Sequence, residues 1–235
     1  MDQQTAVEKN GTGDSLLEKK IHRRKFFKFS SVAVASAAFI ASCDKDDNND
    51  GVNLGSGDVG ILNYAYALEQ LEAAFYTQVV ANAAFSTAFT ADERSFLTDI
   101  RDHEIAHREF FKTAITAAAA SSIIPALEVD FSTINFANKA SVLGTAMAFE
   151  DLGVTAYNGA GYLLKDANYL LLAGKIVSVE ARHAALIREL ITANTFLGDQ
   201  VDTNSVNLSR TPLEVLAIAD TYIVTKINAS NLPTG

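Results

Sequence analysis

Cysteine is nearly missing from this 235-residue chain: Cys43 stands alone, so no internal disulfide can form and no cluster of thiolates can hold a metal. Proline is scarce as well, with 3 in the whole sequence, and little interrupts long helices. No convincing run alternates apolar and polar residues, which counts against strands. Excess positive charge is also lacking. The formal charge is -9, and the first 42 residues hold seven Lys/Arg against four acids, so the remainder is more acidic still. A nucleic-acid partner would need a basic face to displace counterions from phosphates, and is excluded on that ground. An acidic balance suits a protein that collects cations.

A long hydrophobic run is the last absence. The apolar stretch from Ser30 to Ala41 is mostly Ala, Ser and Val, too short and weak to span ~30 Å of hydrocarbon as a permanent helix. It follows His22-Arg23-Arg24-Lys25-Phe26-Phe27-Lys28 and ends at Ile40-Ala41-Ser42-Cys43. This resembles a twin-arginine export signal closed by a lipobox, removed on processing, with Cys43 the lipidated residue. The alternative is a signal peptide cut nearby, with Cys43 incidental. Residues 44–57 (DKDDNNDGVNLGSG) have the polar, acidic composition of a flexible linker. The expected organisation is a signal over 1–42, a linker over 43–57, a helical domain over 58–196 and a C-terminal extension over 197–235. The domain would then be exported folded and lipid-anchored at the cell envelope, in the periplasm or at the outer membrane.

What is present in quantity is helix. With 49% hydrophobic residues the chain can build one good core. Apolar residues at three and four spacing predict four long helices, over about Asp58–Asn82, Thr90–Ala120, Asn138–Leu164 and Asn168–Phe196. The second opens with Thr90-Ala-Asp-Glu93, a capping box. Short connections near 83–89 and Asp166 make two antiparallel hairpins. The 121–137 segment, with a Pro, β-branched residues and no helical stripe, is long enough to cross the bundle between them. Thr211-Pro212 opens a short fifth helix to about Lys226.

The two hairpins repeat each other. The first helix carries Glu69 with Leu71 and Tyr76, the third Glu150 with Leu152 and Tyr157, both reading Glu-x-Leu-x-x-x-x-Tyr. The second carries Glu104-x-x-His107 and the fourth Glu180-x-x-His183. Residues three apart on a helix lie about 60° apart around its axis, so each Glu and His point the same way and can grip one ion. With Glu69 and Glu150 alongside, four carboxylates would balance two divalent cations.

On these motifs, and on LNYAYALEQLEAAFY and SVEARHAALIREL in particular, residues 58–196 resemble the ferritin-like superfamily, especially its exported bacterial branch related to desiccation-associated proteins. The resemblance implies an all-α ferritin-like four-helix bundle with one long crossover between its second and third helices. It implies two ions held by Glu69, Glu104, His107, Glu150, Glu180 and His183. Carboxylate and imidazole ligands without thiolate suit iron(II) or manganese(II). Further candidates are Glu72, a seventh ligand or an outer residue, since Gly153 stands opposite it in the repeat; His103, opposite Val179, on the surface or in an outer shell; and Tyr76 and Tyr157, bonded to ligand carboxylates or simply packed in the core. Burying four carboxylates without cations would leave a less stable apo-protein.

Three functions stay open on the sequence. One is an oxidoreductase of the ferroxidase or peroxide-consuming kind, using oxygen or peroxide in stress protection. The second is a metal-binding protein without turnover, and the third a structural, surface-anchored bundle. A storage cage fits poorly with a lipid anchor, an acidic tether and a long C-terminal tail.

Overall fold

A computed structural model describes residues 51–234; the expected signal, Cys43 and most of the linker lie outside the described residues. In chain order these form β1 (Val52–Asn53), α1 (Gly57–Ala81), α2 (Phe85–Ala88), α3 (Ala91–Ala119), a 3-10 turn (Ala120–Ser122), α4 (Lys139–Gly161), α5 (Ala167–Ile191), α6 (Pro212–Ala219) and β2 (Ile227–Asn228). The expected four long helices are α1, α3, α4 and α5, packed as hairpins α1–α3 and α4–α5, which meet chiefly along α1 and α4. Among the described residues no helix is long and apolar enough to cross a membrane.

Local chemistry sets the ends. The Thr90 hydroxyl accepts from the Glu93 N–H at 3.3 Å while Glu93 accepts from the Thr90 N–H at 2.9 Å, completing the capping box of α3. A second box, Thr211 with Glu214, starts α6 behind Pro212. Three helices stop short of their expected ends. In α5 the chain leaves the helix at Ile191 rather than Phe196, because Asn194 takes φ 65° and the Thr195 hydroxyl turns back to the Arg188 carbonyl. The third helix, α4, closes at Gly161, and α6 closes at Ala219 rather than near Lys226. The loop near 83–89 contains the single helical turn α2.

Two buried amides on α1 fasten the crossover. Asn63 donates to the Leu54 carbonyl at 3.0 Å and the Ser122 carbonyl at 2.7 Å, and accepts from the Ile124 N–H at 3.2 Å. Two turns on, Gln70 accepts from the Leu127 N–H at 2.9 Å and donates to the Pro125 carbonyl at 3.3 Å. A non-helical strand buried against a helix needs such partners for its backbone. Farther along, Phe131 and Phe136 pack on Phe75, and Asp130 donates its N–H to the Tyr222 carbonyl at 2.9 Å.

The ends of the domain are tied together. Val52 and Asn53, expected within a flexible linker, pair in parallel with Ile227 and Asn228, and Leu54 is fully buried. The C-terminal extension also lies across α4: the Arg210 N–H donates to the Thr155 carbonyl at 3.0 Å. A Cβ at Gly159 would sit 1.8 Å from the Arg210 carbonyl oxygen, so one glycine of the Gly-rich α4 exists for close backbone approach. Gly159→Ala is expected to cost about 3 kcal/mol of stability by forcing the extension off the helix. A thermal unfolding midpoint within a degree or two of the parent would contradict this contact.

Candidate metal centre

Glu69, Glu104, Glu150 and Glu180 project from four different helices into the centre of the bundle, and each is 0% exposed. Burying four carboxylates together is unfavourable by desolvation and by mutual repulsion. The side chains resolve into two groups of four ligand atoms, each group lying within 4.8 Å: Glu69, Glu104, His107 and Glu180; and Glu104, Glu150, Glu180 and His183. Every one of the six residues expected to hold ions is therefore brought to one place.

The atoms divide between the groups by a simple rule. His107 Nδ1 faces Glu180 Oε1 at 2.8 Å, Glu104 Oε2 at 3.4 Å and Glu69 Oε2 at 3.5 Å. His183 Nδ1 faces Glu104 Oε1 at 2.8 Å, Glu150 Oε2 at 3.4 Å and Glu180 Oε2 at 3.7 Å. Glu104 and Glu180 thus offer one oxygen to each group, whereas Glu69 and Glu150 each serve one. All eight of these atoms are buried without a properly directed hydrogen bond among the described residues. Buried polar atoms are rarely left so, and eight converging in two sets of four fit a pair of cations.

The remaining oxygens are satisfied. Tyr157 of α4 donates its hydroxyl to Glu69 Oε1 on α1, and Tyr76 of α1 donates to Glu150 Oε1 on α4. The motif Glu-x-Leu-x-x-x-x-Tyr is therefore reciprocal: the tyrosine of each copy holds the glutamate of the other. Burial first, then the neighbouring carboxylates, pushes both hydroxyls well above the ordinary tyrosine range, so they remain donors. Their grip leaves each glutamate one oxygen for an ion.

His103, read as a surface or outer residue, bonds His183: Nδ1 and Nε2 are 2.9 Å apart and the rings stack with centroids at 5.2 Å. It contacts the ring nitrogen of His183 that faces away from the carboxylates. Glu72 is buried at 4% exposure and occupies the room that Gly153 leaves, since a Cβ there would lie 3.1 Å from Glu72 Oε1. It belongs to neither group of four ligand atoms. Burial, followed by the charges of Glu180, Glu104 and Glu150, holds Glu72 well above the usual carboxylate range.

Protonation shows how much the cluster resists carrying its own charge. Burial and then the Glu180 charge push Glu104 up to about 8, and burial pushes Glu150 up to about 7. Burial disfavours charge on His183, yet the Glu150 and Glu104 carboxylates prevail and push it up to about 12. Burial likewise opposes charge on Glu180, but His107 and His183 bring it down to about 2.

For Glu104 the folded chain keeps a proton that the unfolded chain, near 4.5, has released, so metal-free stability falls as pH rises from about 4.5 to 8. His183 acts with the same sign above its unfolded value of 6.5. Each such group contributes up to about 1.4 kcal/mol per pH unit. The metal-free protein is therefore expected to melt at progressively lower temperature from about pH 5.5 to 8.5, and a flat or rising midpoint in calorimetry would contradict the proton-loaded cluster.

Sequence reasoning picked out the six residues that the structure brings together, but not their division between the two groups, nor the partners of the tyrosines and His103, which depend on how two hairpins meet. A family model described as a ferritin-like domain matches residues 57–193, more than half of the chain. A search of curated proteins finds no match.

Proposed function

The chain belongs to the ferritin-like family, and from that membership, the buried Glu/His cluster and the N-terminal motifs together we propose an exported, envelope-anchored protein that holds two iron or manganese ions and oxidises iron(II) or consumes peroxide in stress protection. The observation that carries the reading is the set of eight buried ligand atoms, none in a directed hydrogen bond among the described residues, that converge in two groups sharing Glu104 and Glu180. Glu69, Glu104, His107 and Glu180 would hold one ion, and Glu104, Glu150, Glu180 and His183 the other. Such a pair supplies redox equivalents and an open coordination position for an oxidant.

The chain's own residues hold that centre in place. Tyr76 and Tyr157 fix the carboxylates of Glu150 and Glu69, and His103 orients His183. Four carboxylates offset the charge of two divalent ions. No thiolate competes, because the only cysteine, Cys43, lies at the expected lipobox. Arg23-Arg24, the apolar run and Ile40-Ala41-Ser42-Cys43 support export by the twin-arginine route and lipid anchoring. A kinship with desiccation-associated proteins rests on LNYAYALEQLEAAFY and SVEARHAALIREL.

Iron(II) added to the metal-loaded protein, with oxygen or with peroxide, tests turnover by absorbance of the iron(III) formed. Repeated turnover, lost in Glu104→Gln, is the expected result. Metal bound in the parent without turnover would favour a non-catalytic metal-binding protein, and no metal at all would leave a structural bundle.

A further inference from the structure

The C-terminal extension forms a cleft of about 420 Å³, lined wholly by residues between Leu213 and Ser230 and by none of the six clustered Glu and His residues. Leu213, Leu216 and Ala217 share one face of α6, at three and four spacing, and turn it to the cleft. Leu213 is 57% exposed there, an apolar side chain left to water by everything in the fold. Ile223 and Ile227 add to the apolar lining, while Asp220 and Lys226 contribute one charge of each sign.

The chain enters the domain on this cleft's own wall. Val52 pairs with Ile227 and Asn53 with Asn228, and the Val52 N–H donates to the Lys226 carbonyl at 2.8 Å. Gly51 lies so close that a Cβ on it would be 3.3 Å from Lys226 Cγ. Residues 44–50, which separate Gly51 from the expected lipidated Cys43, reach at most roughly 28 Å at about 3.5 Å per residue. The 25-residue α1 alone is about 37 Å long. A bilayer that holds Cys43 therefore lies closer to Lys226 and Ile227 than the length of the bundle, whatever else of the domain it meets.

We propose that this cleft binds a zwitterionic phospholipid of the anchoring membrane and seats the domain on that surface. Lys226 meets the phosphate, Asp220 meets the headgroup ammonium, and the Leu213, Leu216 and Ile227 side chains take the upper part of an acyl chain. A wholly polar solute would leave the apolar lining wet, and a hydrocarbon would strand both charges. An anionic headgroup is disfavoured, because residues 44–50 carry four Asp against Lys45 and bring that charge to the same wall. The inference rests on the envelope-anchoring part of the reading above for its purpose, and on the metal centre not at all.

The test uses the full-length chain with Cys43→Ser, which has no lipid of its own, titrated with micelle-free dihexanoylphosphatidylethanolamine. Methyl resonances of Leu213, Leu216, Ile223 and Ile227 should shift and saturate, while those of Leu97 and Ile187 in the bundle stay in place. Lys226→Glu should weaken binding at least about tenfold, the loss expected for one charge-assisted hydrogen bond. Leu213→Asp, at an exposed position, should weaken it without disturbing the fold. Dihexanoylphosphatidylglycerol should bind more weakly than the ethanolamine lipid, and inorganic phosphate should shift nothing. Absence of saturable shifts at the cleft, or equal binding by Lys226→Glu and Leu213→Asp, would overturn the proposal. Sedimentation of the processed parent with vesicles reads the anchor separately: a parent that sediments while the cleft ignores lipid keeps the anchor and loses the site, and saturable binding in a chain whose parent carries no lipid does the reverse.

Discussion

Loading the metal-free protein with manganese(II) should raise its thermal unfolding midpoint by roughly 10 °C, since an ion at about a thousandfold above its dissociation constant adds about 4 kcal/mol and a domain this size gains about 2–4 °C per kcal/mol. The cause is specific to the centre. The protons that Glu104 and Glu150 retain and the raised charge on His183 are the cluster's substitutes for cations. Ions replace them with charge placed against all eight ligand atoms at once. The gain should grow with pH, because binding displaces protons that become easier to remove. A shift of the same size in Glu104→Gln would mean the ion binds elsewhere, on the acidic surface, and the buried cluster is not its site.

The second large effect separates the shared carboxylates from the others. Glu104 and Glu180 each offer one oxygen to His107's group and one to His183's, so Glu104→Gln or Glu180→Gln should lose both ions. Glu69→Gln should weaken only the group around His107, and Glu150→Gln only the group around His183. Metal affinity at the damaged position should fall at least about tenfold. Glu104→Gln also carries a control for folding: its carboxyl is pushed up to about 8, so the amide resembles the acid that the metal-free protein already contains at neutral pH. Its metal-free midpoint should therefore stay close to the parent's. Loss of a single ion in Glu104→Gln, or loss of both in Glu69→Gln, would contradict the division of oxygens, and titration with manganese(II) monitored by its paramagnetic signal reads either outcome.

The centre was legible in the sequence because its motifs are local and repeated. Glu104-x-x-His107 and Glu180-x-x-His183 need only a helix to align them, and the two Glu-x-Leu-x-x-x-x-Tyr helices supplied the partners. The membership of the four long helices was equally visible from their apolar stripes, and Thr90 with Glu93 marked the start of α3. What escaped depends on long-range packing. Asn63 and Gln70 look like ordinary polar helix residues until the crossover lies against them. Gly153 could be seen opposite Glu72 in the repeat, for which it makes room, whereas nothing around Gly159 announces that it admits the Arg210 backbone. Val52 to Leu54 have linker composition around them, and only the returning β2 explains why Leu54 is buried. The end of α5 was misplaced for a simpler reason: no proline or glycine stands between Ile191 and Phe196 to announce the turn at Asn194.

The central claim is that the bundle's buried carboxylates and imidazoles form a two-ion centre, and metal counting tests it most directly. The full-length chain, incubated without oxygen with excess iron(II) or manganese(II) and freed of loose metal, should retain about two ions per chain by elemental analysis, as two groups sharing two carboxylates require. Retention of none, or an equal amount in the Glu104→Ala, Glu180→Ala double variant, would contradict it.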